Sequence, residues 1–153
     1  FLSLIDPLSE EQYRAEVLGE SSIGTHLRHS LDHFFSFFKG LETGCCDYDS
    51  RERNEGIEQC LETAKEQTLK LIERLDDLAH NSSSRFEISQ LYHCESPELK
   101  MSSTIERELM FLMHHTVHHV AISSVLLKAQ GSCVDPRLAL AFATEKELIA
   151  TDS

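Results

Sequence analysis

The stretch from Thr104 to Ala129, TIERELMFLMHHTVHHVAISSVLLKA, decides the fold. It contains no Gly and no Pro, so it reads as one long helix from about Thr104 to Ala129. Ser103 and Glu106 form a capping-box pattern at its start, and Gly131 supplies its stop. On a wheel of about 100° per residue, His115 and His119 lie one turn apart. They share a face with Ile105, Phe111, Leu112, Ile122 and Leu126. His114 and His118 turn instead toward Arg107 and Ala121, at the rim of that face or in solvent. Glu108 lies two turns before His115 on the inward side, a conspicuous place for a carboxylate.

Outward from this helix the other elements follow. Ser21 or Ser22 caps a helix running to about Lys39, with Gly40 as its stop. Its residues His26, His29 and His33 fall within roughly 60° of one another. Ile23, Leu27, Leu31, Phe34, Phe35 and Phe38 form the adjoining apolar arc, and Arg28, Asp32 and Lys39 occupy the far side. Before it, Asp6-Pro7 breaks the chain, Ser9 and Gln12 form a capping box for a short helix, and Gly19 ends that helix. Leu41 to Asn54 reads as a loop, and Asn54 caps a third helix over Glu55 to Ala79. Asn81 to Ser84 is a polar break. Phe86 to Tyr92 alternates loosely and reads as a short strand or an extended linker between the third and fourth helices. Pro136 opens a short terminal helix. The reading is an all-α chain, a bundle of about four helices in one domain spanning residues 1–153, with no internal repeat.

Composition narrows the function. With 26 acidic and 14 basic residues the formal net charge is -12, which lacks the basic footprint of a nucleic-acid binder. No apolar run reads as a membrane span and no signal-peptide pattern is present, so the expected setting is the cytoplasm. The five cysteines (Cys45, Cys46, Cys60, Cys94 and Cys133) include no CxxC pair and read as reduced thiols.

Histidine is the unusual residue: nine are present, and seven fall in the two helices just described. Burying imidazoles among Leu, Ile and Phe is costly unless their nitrogens find partners. A divalent metal ion would serve two rings at once, and His at i, i+4 can hold one ion from a single helix. A third His from the neighbouring helix (His26, His29 or His33) would complete three ligands and leave a position for water or substrate. Imidazole suits zinc, nickel, copper or iron. The competing reading is a polar core network that holds no metal.

Two segments carry a resemblance. Ser22-Ile23-Gly24-Thr25-His26-Leu27-Arg28-His29 places a Ser-Ile pair seven residues before a His, and His115-Thr116-Val117-His118-His119 is an HxxxH. Gly131 follows the second of these His by twelve residues. In these features the chain resembles the DinB-like family of metalloenzymes. The resemblance implies a four-helix bundle of up-down-down-up type whose first helix would begin upstream of Phe1. It also implies His29, His115 and His119 as metal ligands, a homodimer through helix faces, and an enzyme acting on a small molecule by thiol transfer or hydrolysis. Thiol-dependent relatives carry Arg-Gly-Gln directly after the last His, where this chain has Val120-Ala121-Ile122. That departure weighs against a thiol cosubstrate.

Around the ligands, His26 and His33 are candidates for extra ligands or for partners that orient them. Glu108 is a candidate general base, or a partner fixing a ligand ring. Arg51 and Arg53, in the polar loop Tyr48 to Arg53 with Asp49 between them and the helix, are a candidate anion clamp at the metal mouth. The alternative to an enzyme is a non-enzymatic metal-binding or stress-response accessory protein, its ion closed off by His33 or Glu108 as fourth ligand.

Overall fold

The computed structural model describes residues 1–19, 21–50, 52–79, 85–91, 93 and 95–139. Most of them are helical. The elements are α1 (Leu2–Ile5), α2 (Glu10–Arg14), α3 (Ile23–Thr43), β1 (Cys45–Asp47), α4 (Glu55–Gln59), α5 (Leu61–Ala79), β2 (Arg85–Leu91), β3 (Glu98–Thr104), α6 (Ile105–Ala129) and a 3-10 turn at Pro136–Ala139. The all-α expectation is corrected by a three-stranded sheet of order β1-β2-β3. β1 runs parallel to β2, pairing Cys46 with Ile88, and β3 runs antiparallel to β2, pairing Met101 with Ile88. Three helices are long (α3, α5 and α6), and the N-terminal segment forms two short ones.

The capping box at Ser9 and Gln12 forms as read, with both reciprocal bonds in place, although α2 ends at Arg14 rather than at Gly19. Ser22 caps α3 through Thr25 N–H. That helix does not stop at Gly40 but at Gly44, which takes the left-handed conformation (φ 84°). Gly40 has a different use: a Cβ there would lie 2.4 Å from Cys46 Cβ, so its lack of a side chain lets β1 pack on α3. The segment read as a loop, Leu41 to Asn54, therefore holds the end of α3 and all of β1.

Asn54 caps α4 through Gly56 N–H, but the predicted third helix is broken at Cys60, which is extended (φ -139°, ψ 113°). The carboxylate of Glu10 accepts from Leu61 N–H at 3.0 Å, serving the first orphan donor of the restarted helix from outside. Phe86 to Tyr92 proves to be a strand over Arg85–Leu91, with Tyr92 outside the described residues, as is the polar break at Asn81 to Ser84. Its partner β3 carried no alternation to announce it, because most of its side chains are exposed.

α6 has the bounds expected, but Thr104 rather than Ser103 is its cap, accepting from Arg107 N–H. Gly131 (φ 80°) follows it as the stop. The sequence reads as having no apolar run that spans a membrane, but α6 is long and apolar enough to cross one by length and composition alone, a test that a core helix also passes. It packs on α3 and β3 here, and its buried residues include Glu108, Ser123 and Ser124. The core between α3, α6 and the short elements is built from Ile23, Leu27, Leu31, Phe37, Ile57, Leu112 and Leu126.

Candidate metal centre

α3 and α6 place five imidazoles against one another. His29, His115 and His119 bring ligand nitrogens within 4.8 Å of one another. The ring centroids of His29 lie 4.9 Å from His115 and 4.8 Å from His119, and those of His115 and His119 lie 4.6 Å apart in a near-stacked pair. The i, i+4 spacing on α6 produces the last contact, and the crossing of α3 over α6 produces the other two. His29 and His115 are half-buried and His119 is buried.

His26 and His33 flank this group along α3. His26 Nδ1 lies 3.0 Å from His119 Nδ1, one nitrogen donating and the other accepting. His33 Nδ1 donates to the carbonyl of His29 at 2.8 Å, which leaves its Nε2 as the nitrogen that can hold a lone pair. The His33 ring sits 4.0 Å from that of His115 and stacks on Tyr48 at 5.7 Å. Phe111 closes the same end, 5.8 Å from His115 and 5.3 Å from Tyr48. As the wheel required, His114 and His118 are exposed.

Burial drives the pKa of His119 down to about 3, and the like charges that His115, His29, His26 and His118 would carry reinforce the shift. The buried ring is therefore neutral at ordinary pH, the form a metal ligand needs. The donor set is thus chemically suited to a borderline transition-metal ion: three imidazoles from two helices, the buried one of them neutral.

Glu108 is fully buried and hydrogen-bonded on both oxygens. It accepts from Tyr48 Oη (2.8 Å), Ser103 Oγ (2.5 Å) and Arg107 Nη1 (2.7 Å). Its solvent-facing alternative is thereby removed, and its observed partners are not histidines. It reaches the cluster through Tyr48, whose ring it anchors against His33. The capping-box reading of Ser103 fails for the same reason, since its hydroxyl is spent on Glu108.

The expected anion clamp falls partly outside the described residues. Arg51 lies outside the described residues. Arg53 is exposed and lines a cavity of about 770 Å³ with Asp32, Lys39, Asp47 and Glu52, whose described lining contains no histidine. Asp49 accepts from Leu91 N–H and so ties the loop to β2. Tyr48, grouped with that loop by sequence, is buried instead. The signal for it was an aromatic residue at the head of an otherwise charged run. Cys45, Cys46, Cys60 and Cys133 are free thiols, and burial pushes Cys46 up to about 12.

A family model described as the DinB superfamily matches residues 1–123, which span both histidine-bearing segments. The chain belongs to the DinB superfamily. No curated protein and no solved structure matches it.

Proposed function

We propose that this chain binds one divalent transition-metal ion (zinc, nickel or iron) through His29, His115 and His119, and uses it in catalysis on a small molecule. The observation that carries this reading is the convergence of three ring nitrogens within 4.8 Å on two packed helices. When bound, such an ion supplies a Lewis acid with a position left for water or substrate. The chain's own groups prepare the site. Burial keeps His119 unprotonated, His26 shares a proton with His119 at Nδ1, and Tyr48 and Phe111 wall one end against water. Half-exposed His29 and His115 leave an approach for substrate. Val120-Ala121-Ile122, in place of Arg-Gly-Gln, favours hydrolysis over thiol transfer as the chemistry to assay first.

Under this reading the α1–α2 segment, packed on α5 and α3, stands in the place of the first helix of an up-down-down-up bundle. The free thiols accord with a cytoplasmic setting. A homodimer through helix faces is part of the proposal and is read by sedimentation. One observation favours the non-enzymatic reading, in which His33 would serve as a fourth ligand: its Nδ1 donates to the His29 carbonyl and its ring lies 4.0 Å from that of His115. Glu108 would not serve, because its oxygens are already taken.

The test is the metal content of untagged protein purified without chelator, for wild type and His119→Ala. Near-stoichiometric metal lost in the variant supports the site. No metal in wild type, and no uptake of added zinc or nickel, sinks it. Absorption spectroscopy of the metal edge then separates three protein nitrogens from four.

A further inference from the structure

Two more histidines on α6 are unused by this site. His114 and His118 are spaced i, i+4 like the inner pair, but both are exposed, about 100° round the helix from it. Residues so spaced stand about 5–6 Å apart at Cβ, within the bite of one ion. Two imidazoles from a single helix turn can chelate a divalent transition metal and leave its remaining positions to water. The pair is also connected to the interior, because the ring of His118 lies edge-on to that of His119 at 5.1 Å. Exposed His118, buried His119 and half-buried His115 thus form a continuous run of imidazoles from solvent to the centre of the cluster.

We propose that His114 and His118 form a second, outer metal site that captures a divalent transition-metal ion from solution and passes it to the inner histidines. The outer site stands on its own geometry, while its role in loading rests on the inner site being a metal centre. A chelate on the surface binds quickly because its ligands need no rearrangement. Transfer then requires only that His119 replace His114 while His118 stays bound, so the ion is never fully stripped. The weaker outer affinity, from two ligands against three, makes the transfer downhill.

Ni2+ alone is the probe, with untagged protein in four forms: wild type, His119→Ala, the double variant His114→Ala/His118→Ala, and all three changes together. Equilibrium titration counts the bound equivalents, and rapid mixing with limiting Ni2+ follows loading. Wild type is expected to bind two equivalents, one tight and one weaker. The double variant loses the weaker one and fills the tight one more slowly, to the same final occupancy. His119→Ala keeps the weaker one, and the triple variant loses it. If His119→Ala and the triple variant bind Ni2+ alike, the outer site is overturned. If the double variant loses the weaker equivalent but loads at the wild-type rate, the passing-on is overturned and the outer site stands. A wild type with only the weaker equivalent, removed by the double change, upholds the outer site while defeating the inner one. The exposed positions of both residues make the double variant safe for folding, which circular dichroism verifies.

Discussion

α3 buries polar side chains on two sides, and the two are satisfied in opposite ways. On one side, Arg28 lies between two carboxylates, at 2.7 Å from both Asp32 and Glu58. On the other, His26, His29 and His33 meet His115 and His119 with no opposite charge among their ring contacts. The first, the closed side, matches one guanidinium to two carboxylates. The second, the open side, gathers five imidazoles, and burial holds one of them, His119, neutral. Burial alone therefore does not mark function. Buried groups of opposite sign hold a fold together, whereas a buried cluster of imidazoles is a donor set that could hold a metal ion.

The comparison is broken most severely on the closed side. Asp32 has a side chain only 1% exposed, and Arg28 is 12% exposed. Arg28→Ala should cost about 3–5 kcal/mol, most of it from leaving Asp32 buried without its guanidinium. Urea unfolding monitored by circular dichroism measures it. Metal uptake by the protein that remains folded should be unchanged. A loss below 1 kcal/mol would mean that the triad is a surface ornament, and the contrast between the two sides would lapse.

The sequence wheel placed Arg28 and Asp32 on the far side of the helix, which is correct in angle and wrong in environment. It could not see that α4 would cover that side, because the cover depends on Gly24. A Cβ there would come within 2.3 Å of the Glu58 carbonyl oxygen, so only glycine admits the α4 backbone. The same limit explains the broken third helix, where Glu10 reaches across 51 positions to restart α5. It also explains β3, whose exposed strand has no period to read. The histidines were legible for the converse reason. Their angular positions follow from helix geometry alone, and both α3 and α6 run unbroken through their histidines. Among the three histidines that the wheel left open, His29 comes within 4.8 Å of both His115 and His119 by its ligand nitrogen, while His26 contacts His119 and His33 contacts His115.

A smaller effect sharpens the boundary between the two kinds of site. Tyr48→Phe removes the hydroxyl that donates to fully buried Glu108 while keeping the ring stacked on His33. Glu108 retains Ser103 and Arg107, so the cost should be about 1–2 kcal/mol, at the lower part of the range for an unmade buried bond. Glu108→Gln should act in the same direction, since it replaces an acceptor oxygen by an amide NH2 that faces other donors. If either change abolishes metal binding with stability intact, Glu108 and Tyr48 belong to the site rather than to its support.

The smallest effect tests the open side directly, in metal-free protein. The unfolded chain protonates His119 at its ordinary value of 6.5, while the folded chain resists until about 3. Between those values the unfolded state binds the extra proton, so this residue withdraws stability as pH falls through the window and withdraws none above it. His119→Ala should therefore show a shallower fall in urea midpoint between pH 7 and pH 5 than wild type, whatever the two proteins' absolute stabilities at pH 7. Asp135, held down to about 2 by Arg137, completes its titration below that interval in the folded state, and it does so equally in both proteins. Parallel slopes would mean that the His119 ring is protonated in the fold at pH 5, which is incompatible with a crowd of neutral imidazoles. A shallower slope in the variant would show that the open side of α3 carries an electrostatic cost that the closed side has already cancelled, and that cost is what a bound cation would convert into affinity.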